Sequence, residues 1–199
     1  MITILFIVIT VLISITAFNN RELYLRFMFN AYQIYHRKQY FRLLSHGFIH
    51  ADWTHLIFNM ITLFFFGKYV EEYMNNALLF ITLYLGGIII ASLSSLFKHK
   101  DNYVYNSVGA SGGVAAVLFA SILFNPWLKI YFFFIPVGIP GVIFGIIYLL
   151  FSNYMSKKDI DNINHDAHFL GAVFGFTFPI LIHVGYLYNF IDQLTAIFR

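Results

Sequence analysis

A serine flanked by glycines is the first feature of this sequence that could do chemistry. Ser111 lies in the run Gly109-Ala110-Ser111-Gly112-Gly113, at the start of an apolar stretch that predicts a helix. The glycines allow a tight turn into that helix and the close approach of another backbone. Free backbone N–H groups at a helix start can hold an anion, so Ser111 is a candidate nucleophile. The competing interpretation is a helix cap followed by small packing residues.

Two hydrogen-bond donors share one face of an earlier predicted helix. His55 and Asn59 are four residues apart, which is about one helical turn, and His50 lies five residues before His55. Polar side chains inside apolar segments are functional candidates because they are costly to place in a membrane. These donors could stabilise the oxyanion of an acyl-transfer reaction. They could equally join two helices by hydrogen bonds.

A histidine followed by two spaced glycines is the third polar group. His168 precedes Gly171 and Gly175, a small-xxx-small pair that lets a helix approach its neighbour closely. His168 and Gly171 lie on roughly one face, so close packing would bring the imidazole towards the partner helix. A metal site with His165 and the earlier histidines is the rival interpretation. The predicted helices offer no acidic residue beside these histidines to complete or orient the ligand shell, and we predict no metal site.

Together the three groups supply the parts of a serine-histidine dyad. Ser111 would attack as the nucleophile, and His168 would serve as general base and then as general acid. His55, Asn59 and the backbone N–H of Ser111 would stabilise the oxyanion. Asp166 lies two residues from His168 on a different helix face, so no third, acidic member is evident.

The composition places these groups inside a membrane. The chain has 199 residues, of which 60% are hydrophobic and only 11% charged, against about 25% charged in an average soluble domain. It is too apolar for a water-soluble enzyme or a disordered segment. The absence of cysteine excludes disulfides and thiolate chemistry. A net charge of +3 without any basic run argues against nucleic acid as a partner.

Six apolar runs predict an all-α, polytopic membrane protein with six transmembrane helices, since each crossing needs about 20 apolar residues. The runs lie at 2–18, 54–73, 77–97, 110–125, 139–154 and 167–188. The fourth run is short for a membrane, so its start should lie below the surface beside a wet pocket. Residues 19–53 mix basic and aromatic side chains and predict a folded loop at the membrane interface. We expect residues 1–199 to form one domain without an extra soluble module, with the first helix retained rather than cleaved as a signal peptide.

In combination, these residues resemble the rhomboid family of intramembrane serine proteases. The matching motifs are His50-x4-His55-x3-Asn59, Gly109-Ala110-Ser111-Gly112 and Ala167-His168-x2-Gly171-x3-Gly175, in that order on helices two, four and six. The resemblance covers essentially the whole chain. It implies that Ser111 and His168 form the catalytic dyad. It also implies that His55, Asn59 and the Ser111 amide line the oxyanion hole, within a six-helix bundle whose long first loop is embedded in the membrane.

The resemblance includes two residues with structural roles and departs at two positions. Arg42 matches an arginine of the family's first loop, and Glu71 ends the element Gly67-Lys68-Tyr69-Val70-Glu71, which resembles a G-x3-E motif. Phe41 stands where family members commonly have tryptophan. Ala115 stands where some bacterial members carry a tyrosine under the catalytic imidazole. Neither change removes a group that does chemistry, so the expected activity is kept.

The resemblance implies a hydrolase that cleaves transmembrane segments of other membrane proteins within the lipid bilayer and needs no cofactor. The substrate helix must unwind, because its own hydrogen bonds otherwise occupy the carbonyl that is attacked. The resemblance also implies a bacterial inner membrane, a cytoplasmic N-terminus and an active site facing the extracytoplasmic side. The charges point the other way, because nine basic residues share the side of the long first loop and three lie opposite. We follow the resemblance, because an embedded loop makes that count unreliable.

Two other classes of protein stay open. A catalytically silent rhomboid-like protein would bind transmembrane clients without cutting them. Such relatives lose the serine or the histidine, whereas this chain has both Ser111 and His168. A small transporter would show related halves with broken helices at matching positions, and the sequence shows no such halves.

Overall fold

The computed structural model describes residues 1–132, 135–158 and 164–196. Ten α-helices and four short strands are found there. In chain order they are α1 (Ile2–Asn19), α2 (Arg21–Phe27), β1 (Phe29–Asn30), α3 (Ala31–Arg37), α4 (Arg42–Ser45), α5 (Trp53–Met74), α6 (Ala77–Lys98), β2 (Asn106–Ser107), α7 (Ser111–Phe124), β3 (Lys129–Phe132), β4 (Ile135–Pro140), α8 (Gly141–Met155), α9 (His165–Ile182) and α10 (Gly185–Thr195). A short 3-10 turn, His46–Phe48, links α4 to the segment before α5.

Each of the six predicted apolar runs forms a helix, but the last run does not form a single one. It was expected to continue to residue 188, whereas α9 ends at Ile182 and α10 begins at Gly185. The break occurs because His183 adopts an extended backbone conformation. Its Nδ1 then accepts a hydrogen bond of 3.0 Å from the Gly185 N–H, which fixes the turn. The prediction of an all-α fold was incomplete, because the structure also contains two antiparallel strand pairs, β1–β2 and β3–β4.

The helices define a multi-pass membrane protein. Three of them, α1, α6 and α9, are long and apolar enough to cross a membrane by length and composition. Helices α7 and α8 are apolar but shorter. Helix α5 has the same length as α6 but carries Lys68, Glu71 and Glu72.

Helix α7 occupies the centre of the bundle. Every residue from Gly112 to Phe124 is buried, which is the expected state of a helix that is apolar on all sides. Helices α5, α6 and α9 surround it. Because Ser111 is the first residue of this central helix, the fold places the candidate nucleophile at one end of the protein core.

Helix α1 is fastened to α5 by Glu71. Its carboxylate accepts hydrogen bonds from the N–H groups of Ile2 and Thr3, at 2.6 and 2.9 Å, and from the Thr3 hydroxyl at 2.6 Å. These are N–H groups of the first turn of α1, which have no partner within the helix. One turn earlier on α5, the absence of a side chain at Gly67 leaves room for Thr3.

The segment between α1 and α5 is folded and is joined to the loop before α7. The Arg42 guanidinium holds it together by donating to the carbonyl oxygens of Leu25 and Met28, at 2.9 and 2.7 Å. Strand β1 pairs with β2, so that Phe29 lies opposite Ser107. Ser111 is four positions after Ser107, so this contact ties the first loop to the segment that leads to the candidate nucleophile.

Candidate active site

One cavity brings the three sequence motifs together. It has a volume of about 1240 Å³ and is lined by His55 and Asn59 from α5, Ser111 from α7 and His168 from α9. Tyr148 from α8 contributes a further wall. Five residues from four helices thus face a space large enough to hold an extended peptide segment.

The approach of α9 to α7 explains why Ser111 and His168 share this cavity. Gly171 packs directly on the backbone of Gly112, and Gly175 packs on the backbone of Ala116. A side chain at either glycine would overlap main-chain atoms of α7. His168 lies one turn before Gly171 and Ser111 directly before Gly112, so the same close contact sets both residues at one end of the helix pair.

The turn before Ser111 needs a glycine at position 109. Gly109 has a φ of +118°, a conformation that residues with a side chain rarely adopt. Its N–H donates to the carbonyl of His46 at 2.9 Å. A Cβ there would also overlap the imidazole of His55. The His55 ring therefore lies against the backbone two residues before the candidate nucleophile.

Asn59 is held within its own helix. Its Nδ2 donates to the carbonyl oxygen of His55 at 2.9 Å, and the side chain is buried. A primary amide carries two N–H groups, so this bond leaves a second donor on Asn59. The carboxylate of Asp52 caps the start of α5 by accepting from the His55 N–H at 2.8 Å.

His50 anchors the turn before Ser111 through a directional chain of hydrogen bonds. The Ala110 N–H lies 3.4 Å from Nε2 of His50, which must accept this bond. Nδ1 therefore carries the proton and donates to Oγ of Ser14 at 3.0 Å, and that hydroxyl donates to the carbonyl of Phe48 at 3.0 Å. This chain links α1 to the backbone next to Ser111.

This series of hydrogen bonds requires a neutral His50, because a protonated Nε2 could not accept a bond from the Ala110 N–H. The imidazole is fully buried, and burial, with a further contribution from the neighbouring His55, lowers the pKa of His50 to about 3. His46, which is also buried, has its pKa lowered by burial to about 4. Sequence reasoning missed Ser14 as the partner of His50. Ser14 is one of four hydroxyl residues in the first helix, with Thr3, Thr10 and Thr16, so the sequence did not single it out.

His168 has an aromatic neighbour that the sequence did not identify. The ring of Tyr148 lies nearly parallel to the imidazole, with 6.3 Å between ring centroids and 17° between planes. Asp166 is oriented towards α6, where its Oδ2 lies 3.9 Å from Nζ of Lys98. Among the residues that the structure describes, no group of three or more His, Asp or Glu side chains is arranged to hold a metal ion.

Comparisons with known proteins agree with this architecture. The family model of the Rhomboid domain matches residues 37–185. The chain is 31% identical over 153 residues to "RHOMBOID-like protein 12, mitochondrial" and 30% identical over 161 residues to "Rhomboid-like protein 11, chloroplastic", both from Arabidopsis thaliana. These alignments cover 65% and 71% of this chain. They cover 43% and 52% of the two relatives, so the chain spans about half their length.

A bacterial relative matches over a larger share of its own length. "Putative rhomboid protease YdcA" of Bacillus subtilis (strain 168) is 32% identical over 146 residues, which is 72% of this chain and 67% of that protein.

The fold and the cavity define a multi-pass helical membrane protein with serine and histidine brought together in one site. The family match is more specific: the chain belongs to the rhomboid family, whose members are generally intramembrane serine proteases. The resemblance found in the motifs is thereby confirmed.

Proposed function

We propose that this protein is an intramembrane serine endopeptidase that cleaves transmembrane segments of other membrane proteins. One observation carries the proposal: Ser111, His168, His55 and Asn59, which come from three separate helices, line a single cavity. This set contains a nucleophile, a base and oxyanion donors. Those are the groups that acyl transfer requires.

In the proposed reaction, His168 accepts the Ser111 proton as Oγ attacks the peptide carbonyl. The negative charge that develops on the carbonyl oxygen is stabilised by His55, Asn59 and the Ser111 N–H. His168 then gives its proton to the leaving amine, and the C–N bond breaks to leave an acyl-enzyme. Water, activated by the same imidazole, releases the acyl group and returns the proton to Ser111.

The short central helix suits a site buried in the membrane. Helix α7 has 14 residues and is about 21 Å long at 1.5 Å per residue, against about 30 Å of hydrocarbon. We place six membrane crossings at α1, α5, α6, α7, α8 and α9. If the far end of α7 is near the opposite surface, Ser111 lies below the membrane surface, where its polar neighbours need a water-filled cavity.

A transmembrane substrate must unwind to reach Ser111, because helical hydrogen bonds otherwise occupy its carbonyls. Substrates with helix-weakening residues near the scissile bond should therefore be cut fastest. We place the protein in a bacterial inner membrane with the active site on the extracytoplasmic side, in keeping with the family resemblance and a bacterial relative.

Cleavage of a single-span reporter by the purified protein in liposomes tests the proposal. The parent should cleave it and should react with a fluorophosphonate probe at Ser111, while Ser111→Ala and His168→Ala should do neither. Ser121→Ala removes a buried hydroxyl from the same helix, one that donates to the Leu118 carbonyl, and should stay active. A folded parent that neither cleaves nor reacts would instead be a silent, client-binding rhomboid-like protein.

A further inference from the structure

The imidazole of His168 is supported by a ring from a helix that carries none of the proposed catalytic groups. Tyr148 belongs to α8, whereas Ser111 is on α7 and His168 on α9. The two rings lie at 6.3 Å and 17°, within the range of offset-stacked aromatic pairs. A third helix therefore contributes to the packing of this histidine ring.

Tyr148 is itself held in place by two phenylalanines. Phe119 of α7 lies with its ring centroid 5.4 Å from that of Tyr148, and Phe144 of α8 lies at 5.6 Å. The phenol ring thus packs against residues of both α7 and α8 as well as against His168. A ring fixed on two sides can restrict the rotation of the imidazole stacked on it.

The side chains nearest in sequence to Ser111 and His168 differ from Tyr148 in the contact that they can offer the imidazole. One turn after Ser111, the residue on α7 is Ala115, a buried methyl group that lines the same cavity. Asp166, two residues before His168, is oriented towards Lys98 at 3.9 Å. His165, three residues before His168, contacts the imidazole edge to face, at 6.1 Å and 72°, whereas the Tyr148 ring lies nearly parallel to it.

We propose that Tyr148 is a positioning residue that holds the His168 imidazole in the orientation needed to exchange a proton with Ser111. This inference rests on the proposed function. Tyr148 acts through His168 and takes no part in bond making or breaking. The aromatic ring performs this role, so the phenol hydroxyl is dispensable.

The position of α8 therefore affects the orientation of His168, the proposed general base. The buried residues of α8 are the small side chains Gly141, Gly145 and Ser152. Most of its large exposed residues are apolar: Ile143, Ile146, Ile147, Leu150 and Phe151. Tyr148, with Phe144, is thus one of the large inward contacts of a helix whose other face is exposed and mostly apolar. Displacement of α8 from α9 would remove the stacked ring and, with it, this restriction on the rotation of the imidazole.

Substitutions of Tyr148 that remove the aromatic ring (ring-free variants) can be compared with one that keeps it. The comparison distinguishes the positioning of His168 from a general packing role. Tyr148→Leu and Tyr148→Met should each lower kcat about tenfold, the upper end for an aromatic pair, with KM within about twofold of the parent. The rate of reaction with a small fluorophosphonate should fall by a similar factor, because that reaction also needs the base. Tyr148→Phe should stay within about twofold of the parent in kcat, KM and labelling rate.

Tyr154→Leu is the matched control, since it removes an exposed tyrosine from the same helix, and it should behave like the parent. Three results would overturn the inference while the parent is active: unchanged kcat in both ring-free variants, a loss of kcat without a loss of labelling, or a Phe variant as impaired as Leu. Failure of both ring-free variants to fold while Phe folds would also count against it, as evidence of a packing role. An inactive, unlabelled parent would instead refute the proposed function itself.

Discussion

At the scale of single residues, the amide of Asn59 allows the sharpest test of the oxyanion site. One of its N–H groups is committed to the His55 carbonyl, and the other is the donor we assign to the oxyanion. Asn59→Ala should lower kcat by about 100-fold, the usual effect of losing one such donor. Asn19→Ala is the matched control, because Asn19 makes the same type of bond, to the Ile15 carbonyl at 2.9 Å, on an exposed face of α1. Steady-state cleavage of the reporter measures both. Equal rates in the Asn59 variant and the parent would remove Asn59 from the mechanism.

The buried histidine His50 predicts how stability depends on pH. Its folded pKa is lowered to about 3, whereas an unfolded histidine titrates near about 6.5. As the pH falls below about 6.5, the unfolded chain binds protons first and is favoured. The stability linked to His50 is therefore complete above about pH 6.5 and is lost as the pH falls towards 3.

Thermal unfolding in detergent at a series of pH values measures this effect. The unfolding midpoint of the parent should fall between pH 7 and pH 4, and His50→Gln should fall less steeply because one titrating group is gone. His46 is buried as well, so part of the slope should remain. Asn19→Ala supplies the control, because it changes an exposed side chain that does not titrate, and it should keep the parent's slope. A His50→Gln slope as steep as the parent's would contradict the hydrogen-bond assignment.

The candidate site residues were predictable from sequence where their spacing was informative. Ser111 is marked by its glycines and His168 by the two glycines that follow it, because close helix packing requires small residues at regular intervals. Tyr148 carries no such mark among 14 tyrosines. Its proposed role rests on the packing of α8 against α9, which is a tertiary contact that local sequence does not encode.

At the scale of helices, the α7–α9 contact should be the least tolerant of added volume. A methyl group at Gly175 would overlap the backbone of Ala116, and main-chain atoms of a buried helix have little room to shift. Gly175→Ala should therefore destabilise the protein by about 1–3 kcal/mol and reduce cleavage, because the displacement of α9 also moves His168. Thermal midpoint and reporter cleavage measure the two effects.

Gly145→Ala serves as the control for that substitution. A Cβ at Gly145 of α8 would meet side-chain atoms of Ile122 and Phe119 at 3.4 and 3.5 Å, ordinary contact distances. This variant should unfold at nearly the parent's temperature. If the two glycine variants proved equally stable, the close approach of α7 and α9 would be wrong.

The attachment of α1 to α5 gives a second test at this scale. Glu71→Gln keeps the shape of the side chain but removes the negative charge that faces the start of α1. The variant should lose about 0.5–2 kcal/mol of stability, the range for helix caps and charges at helix ends. Glu72→Gln changes the exposed neighbouring residue and should have no such effect. Equal unfolding midpoints for the two variants would show that the Glu71 contact does not stabilise the fold.

Helix positions were largely predictable, and helix ends and short helices were not. Apolar runs mark the long helices, because their burial or exposure to lipid dominates the local preferences of the chain. Caps such as Asn76, whose side chain accepts from the Leu79 N–H at 3.1 Å, fix some starts. Helices α2, α3 and α4 are too short to be stable in isolation. They depend on contacts such as those of Arg42, which composition alone does not reveal.

At the scale of the whole molecule, two of the nine basic residues that oppose the proposed orientation are held by contacts within the fold. The positive-inside rule concerns charges in loops that are free to interact with lipid and the insertion machinery. Arg42 is only 9% exposed and donates to three acceptors within the first loop. Lys98 lies 3.9 Å from the carboxylate of Asp166. Arg42 and Lys98 should therefore contribute less to the choice of membrane orientation than a simple count of basic residues assumes.

Chemical labelling of single introduced cysteines would determine the membrane orientation. Because the sequence contains no cysteine, only the introduced residue would react. Lys100 lies in the connection between α6 and α7, at the end of the bundle where Ser111 begins α7, and Lys129 starts β3 beyond the other end of α7. With the active site facing outward, a membrane-impermeant maleimide added to intact cells should label Lys100→Cys. It should label Lys129→Cys only after the cells are opened. The reverse pattern would place the site in the cytoplasm and restore the charge count as the better guide. In that case, substrates would have to present their cleavage sites from the inner face of the membrane.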